Sequence, residues 1–189
     1  IWYFKSPTSF PMSRLLDIKE VRIADLSSEA KKNFISKFSD AKFKMVDALD
    51  NKTACEGSDV IITVTNADAD LVRADWVKPG AMVITMGSFH EVEPEVVRQA
   101  DIIAVDHIGQ SLHRGNLKPM AESGEITAES FDVEIGKLLA HKTEYTPDKD
   151  KRIYAQIVGM GCPDVAIAET VRRKVLEEGK DSFEFNMQG

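Results

Sequence analysis

Hydrophobic and polar positions along this chain switch repeatedly between two periods. Short apolar runs rich in β-branched residues recur near residues 21–25, 43–46, 59–64, 82–85, 101–105 and 152–158. Polar and amphipathic stretches of helical character separate them. The run Asp59-Val60-Ile61-Ile62-Thr63-Val64-Thr65 is the clearest strand. It is continuous rather than alternating, which predicts burial on both faces. After the first run, Ser27 and Ser28 can cap a helix over residues 28–37. Asp47 is expected to cap a further helix that runs through Cys55 and is closed by Gly57. The turn Lys78-Pro79-Gly80 leads into the fourth run, and Pro94 suits the first turn of a helix over residues 93–99. Residues 111–123 predict a broken helix and residues 131–140 an amphipathic one. A charged loop over residues 143–151, holding Pro147, is the best linker candidate. Residues 163–178 predict a strong helix with Val165, Ala168, Val171 and Val175 on one face and Glu169 paired with Arg173. Residues 182–185 suggest a terminal strand. Strands alternating with helices across short loops predict an α/β fold, with one mainly parallel sheet over residues 14–158.

Composition narrows the function classes. The chain has 189 residues, 43% hydrophobic and 29% charged, as expected of a globular domain with appendages. Net charge is −7 with no basic cluster, which argues against a nucleic-acid partner. No apolar run approaches the roughly 18 residues of a membrane span. Two cysteines, Cys55 and Cys162, do not make a disulfide framework, so free thiols in a reducing cytoplasm are the expectation. His90, His107, His113 and His141 show no metal spacing, and no metal is expected.

The candidate chemistry sits where strands end. Val21-Arg22-Ile23-Ala24-Asp25 reads as the second strand of a dinucleotide-binding fold, with Asp25 placed to accept ribose hydroxyls. A loop Asp that caps the next helix is an equally good reading. Thr65 and Asn66 follow the clearest strand, on the edge where parallel sheets bind ligands. Gly87 and Ser88 follow the next one, and Gly87 would let a ligand approach the backbone. Ordinary turn chemistry accounts for both pairs as well. Gly159-Met160-Gly161 imitates a dinucleotide fingerprint, but Asp164 stands at its third glycine position and too little chain follows for a βαβ unit. Asp164, beside Pro163 in a first helical turn, is either a carboxylate stabilised by the helix dipole or an acid/base facing a substrate amine.

Several segments together carry a family resemblance. They are the acidic-ended strand at Asp25, Ser58-Asp59-Val60-Ile61-Ile62-Thr63-Val64-Thr65, and Trp76-Val77-Lys78-Pro79-Gly80-Ala81. They continue with Met86-Gly87-Ser88, Ala100-Asp101-Ile102-Ile103-Ala104-Val105-Asp106, and Ile157-Val158-Gly159-Met160-Gly161-Cys162-Pro163-Asp164. The chain resembles the later half of the ornithine cyclodeaminase and mu-crystallin family over residues 14–178. The resemblance implies a homodimer with a Rossmann-type NAD-binding domain and a separate substrate and dimerisation domain, to which the C-terminal helix returns. Residues 14–158 would then form the partial NAD domain and residues 159–189 the returning segment. It further implies that Asp25 binds the adenosine ribose, that Thr65, Asn66, Gly87 and Ser88 line the NAD groove, and that Asp164 serves the amine of a small amino-acid substrate. The implied reaction is hydride transfer at an amino-acid α-carbon with loss of ammonia, as in a cyclodeaminase. An amino-acid dehydrogenase, an imine reductase and a non-catalytic ligand-binding protein of the mu-crystallin kind are the alternatives. Cys162-Pro163 departs from the usual helix-forming pair.

The first glycine is Gly57, so the Gly-rich phosphate loop and first strand expected before Val21 are missing. Residues 1–13 hold Pro7 and Pro11 in their place. A chain of this kind is expected to bind NAD weakly or not at all, to be inactive, and to be marginally stable unless residues 1–5 substitute for the strand.

Overall fold

The computed structural model describes residues 16–146 and 148–179. The expectations for residues 1–13, Pro147 and residues 182–185 lie outside the described residues. The chain divides into two compact units, Ile1–Val158 and Gly159–Gly189.

The first unit is α/β with parallel pairing throughout. In chain order it contains β1 (Glu20–Ile23), α1 (Ser28–Ser36), β2 (Lys44–Asp47), α2 (Asn51–Cys55), β3 (Val60–Thr63) and β4 (Met82–Thr85). Then come α3 (Pro94–Arg98), β5 (Ile102–Val105), α4 (Ile108–Ser111), α5 (Lys118–Glu122), β6 (Val133–Glu134), α6 (Ile135–Leu139) and β7 (Ile153–Gln156). Single 3-10 turns at Ala74–Trp76, Gly115–Leu117 and Ala128–Ser130 fill the connections.

The expectation of a single sheet is corrected. β1 and β2 form a two-stranded sheet, while the other strands form a five-stranded one in the order β3-β4-β7-β5-β6. Among the described residues, β3 pairs only with β4 and therefore lies at an edge. Its predicted two-sided burial fails as well. Ile61 and Thr63 are buried, but Ile62 points to the other face and is 40% exposed. Period-two geometry turns alternate residues to opposite faces, and Ile62 shares the less covered face with its register partner Ile84.

The two faces of the larger sheet are covered unequally. Val83 of β4, Val105 of β5 and Tyr154 of β7 join Ile61 in a cluster with Val72, Val92, Val96, Val97, Leu117 and Met120. Ala104, Val133 and Ala155 face the opposite way, with Ile84, Ile102, Leu138 and Tyr145 half-buried against them. Most of the core therefore lies on one side, under α3 and the 115–126 segment.

Local chemistry explains the element ends. Ser27 caps α1, its Oγ accepting from Ala30 N at 3.1 Å. Asp47 does not cap α2 but ends β2; Asp50 is the cap, accepting from Thr53 N at 2.7 Å. The helix expected over residues 131–140 is confined to Ile135–Leu139, because Val133 and Glu134 form the two-residue strand β6. Pairing of Val133 and Glu134 with Ala104 and Val105 wins there over helical periodicity.

The second unit contains α7 (Gly161–Glu177), entered through Gly159 at φ +84°. Glu169 pairs with Arg173 at 3.6 Å and with Arg172 at 2.7 Å. Its apolar residues Val165, Ile167, Val171 and Leu176 are all exposed.

Candidate functional site

The carboxyl ends of β3 and β4 lie side by side, with Met86 N donating to Thr63 O at 2.9 Å. Beyond them the chain leaves through Thr65-Asn66 and Gly87-Ser88. Sequence reasoning named those four residues but missed the group that joins Thr65 to Gly87. Glu91 is fully buried, at 0% exposure. Its Oε1 accepts from Thr65 N at 2.7 Å and from Thr65 Oγ1 at 2.8 Å. Its Oε2 accepts from Gly87 N at 2.8 Å and from Thr63 Oγ1 at 2.8 Å. Four donors on two oxygens match the full acceptor capacity of a carboxylate. Gly87 is needed for this approach, since a Cβ there would stand 2.4 Å from Glu91 Cδ.

The backbone around Glu91 is held as well. Asn116 Oδ1 accepts from Glu91 N at 3.0 Å and Val92 N at 3.1 Å. Leu71 N donates to Glu91 O at 3.0 Å, and Val72 bridges Val92 in parallel. The 69–72 and 90–93 segments are thus zipped into a short ribbon beyond the strand ends. Asp70 and His90 share a hydrogen bond on its exposed side.

A second buried polar layer lies beneath the edge. Thr85 Oγ1 and Tyr154 OH share a hydrogen bond of 2.8 Å. Burial holds the Tyr154 phenol well above its ordinary range, so it stays neutral. Gln156 Oε1 accepts from Leu117 N at 2.9 Å, and its Nε2 donates to Ser111 O at 3.2 Å and Arg114 O at 3.0 Å. Gly115, at φ +70°, passes so close that a Cβ would lie 2.8 Å from Gln156 Oε1. Glu91, Asn116 and Gln156 carried no motif. Each is an ordinary polar residue in a loop or strand whose burial depends on distant segments.

Asp25 follows β1, on the separate two-stranded sheet, and its side chain is exposed. Oδ1 accepts from Ser27 N at 2.7 Å, so Asp25 shapes the turn into α1 while Ser27 does the capping. Asn66 and Ser88 are exposed at the edge. Asp164 lies in the first turn of α7, exposed, in the other unit. The structure therefore brings Thr65 and Gly87 together through Glu91, and leaves Asp25 and Asp164 on other elements. Among the described residues no group of three His, Cys, Asp or Glu side chains could hold a metal ion, and no helix is long and apolar enough to cross a membrane.

Comparison with known proteins places this parallel sheet. The model of the ornithine cyclodeaminase/mu-crystallin family matches residues 8–179. The chain belongs to that family. Within the ornithine cyclodeaminase/mu-crystallin family, alanine dehydrogenase of Archaeoglobus fulgidus is 26% identical over 176 residues, covering 90% of this chain and 53% of that enzyme. Ketimine reductase mu-crystallin of Mus musculus is 32% identical over 122 residues, covering 62% of this chain and 36% of that protein. The solved archaeal alanine dehydrogenase dimer with bound NAD superposes with a TM-score of 0.81 at 26% identity, covering 93% of this chain and 55% of that one. The chain thus spans about half the length of the alanine dehydrogenases it matches, and less of the mouse protein.

Proposed function

We propose that this chain is the nucleotide-binding portion of an NAD-dependent enzyme that moves a hydride to or from the α-carbon of an amino acid or its imine. The observation that carries this reading is the carboxyl edge of the parallel sheet. There Thr65 and Gly87 are held in register beside exposed Asn66 and Ser88, where α/β sheets of this kind bind ligands. Asp25 fits the same reading. One of its oxygens shapes the turn, and its exposed carboxylate keeps acceptor capacity for ribose hydroxyls.

The lead assignment is ornithine cyclodeaminase-like conversion with loss of ammonia. A second reading, an amino-acid dehydrogenase or imine reductase, is favoured by the relatives named alanine dehydrogenase and ketimine reductase. NAD, when bound, supplies the hydride acceptor. Asp25 holds the adenosine ribose and disfavours a 2′-phosphate by charge. Gly87 offers a surface without a side chain, and Thr65 and Ser88 offer hydroxyls. Asp164 holds or moves a proton at the substrate nitrogen. A homodimer and a small amino-acid substrate complete the proposal.

The test is made on protein expressed from the complete coding sequence. Calorimetric titration should show tighter binding of NAD than of NADP, and Asp25→Ala should narrow the difference. Two like charges about 4 Å apart repel by about 1 kcal/mol in water and several times that near a protein surface. Tighter NADP binding by the unaltered protein would remove Asp25 from this role. Ammonia release without net NADH marks the cyclodeaminase; NADH formed in step with product marks the dehydrogenase.

A further inference from the structure

A carboxylate withdrawn completely from water needs compensation, because desolvating a charge is costly unless its hydrogen bonds are replaced. Glu91 has that compensation, and its donors come from three places. Two belong to Thr65 beyond β3, one to Thr63 within β3, and one to Gly87 beyond β4. Glu91 itself sits four residues after Gly87, with its backbone fixed by Asn116 and Leu71. Strand pairing ends at Thr63–Thr85, so the ladder no longer sets the spacing of the two exits beyond that point. The carboxylate bridges them there instead.

The geometry points to Glu91 as the residue that fixes the groove between the β3 and β4 exits, and hence as a positioning residue for the nicotinamide half of a bound dinucleotide. The second part rests on the nucleotide-binding reading above; the first does not. Glu91 touches no ligand in this scheme. It acts through the Thr65 and Gly87 backbones, which it holds by one N–H each.

The amide isostere gives a sharp test. In Glu91→Gln the new NH₂ must face one of the two donor pairs. The Thr63 and Thr65 hydroxyls can rotate and become acceptors, but the backbone N–H groups cannot. Glutamine therefore strands one amide, Thr65 or Gly87, and Glu91→Ala strands both. By hydrogen exchange on this chain, Glu91→Gln should speed one of these amides by about tenfold or more, and Glu91→Ala both, because bonds to charged acceptors are the stronger class. Amides of Val83 and Tyr154 should change little. A uniform acceleration across the sheet, or unchanged Thr65 and Gly87 amides, would overturn the assignment in favour of a general packing role. Should the Glu91 variants fail to fold, Gly87→Ala leaves Glu91 in place but drives a methyl into its carboxylate, and should free the same amides.

The nicotinamide half is tested on protein from the complete coding sequence with NADH and ADP-ribose. Glu91→Gln should weaken NADH about tenfold and ADP-ribose less than about twofold. Equal losses would refute positioning of the nicotinamide half. If the unaltered protein binds neither molecule, the nucleotide-binding reading fails and the nicotinamide role fails with it, while the exchange data still decide whether Glu91 sets the groove.

Discussion

Cys55 and Cys162 have the same side chain and opposite surroundings. Cys55 is buried in the main core and Cys162 is exposed at the start of α7. Burial pushes the Cys55 thiol up to about 11 from 9.0, because the thiolate would lose its hydration. A thiol reagent at pH 8 should modify Cys162 within minutes and Cys55 only on unfolding, which mass spectrometry of the two peptides can check. Fast labelling of Cys55 in the folded chain would contradict its burial. The same shift sets a pH dependence. Between pH 9 and about 11 the unfolded chain loses a proton that folded Cys55 keeps, so stability is full below that window and falls as pH rises through it. Denaturant midpoints should decline across this range, and Cys55→Ala should flatten the decline. Asp164 calls for a functional test instead. In protein from the complete coding sequence, Asp164→Asn should lower turnover by about 10²–10⁴-fold with little change in NAD affinity if it exchanges a proton with substrate. Near-normal turnover would leave it as a carboxylate that merely suits a helix N-terminus.

Elements of this chain are decided by their ends more than by their middles. The turn before β4 depends on Gly80, at φ +75°, where a Cβ would stand 2.2 Å from Lys149 O. Gly80→Ala combines a left-handed backbone with a collision against main chain, and should cost about 2 kcal/mol or more. A denaturant curve with an unchanged midpoint would show that the turn relaxes freely. The Lys78-Pro79-Gly80 turn was legible because proline and glycine act locally. The cap of α2 was misplaced at Asp47 because Asp47 and Asp50 both suit a cap chemically. The choice between them was made by pairing, since Asp47 is the register partner of Ile23 and so belongs to a strand. Likewise β6 is only two residues long, too short for any period, and exists because β5 offers it a partner.

At the scale of the whole molecule, β7 lies at the centre of the five-stranded sheet between β4 and β5, while β3 ends it and β1 pairs only with β2 among the described residues. Opening free energy follows burial and pairing on both sides, and an isolated two-stranded sheet is marginal. Amide exchange should therefore be slowest in Ile153–Gln156, faster in Val60–Thr63, and fastest in Glu20–Ile23. Protection of β3 equal to that of β7 would mean that a further strand covers its open edge. The α/β class, the parallel pairing and the family were all written in the sequence, because β-branched runs, the Lys-Pro-Gly turn and the Val-Gly-Met-Gly segment act through neighbours in the chain. So were four edge residues, Thr65, Asn66, Gly87 and Ser88, since strand ends can be read from where apolar runs stop. Only the tertiary structure decided that the strands divide into two sheets, that Ile62 faces outward, and that the edge is organised by Glu91. Those outcomes depend on which segments meet across tens of residues. A glutamate looks solvent-exposed in any sequence until Thr63, Thr65 and Gly87 are folded around it with four donors to replace water.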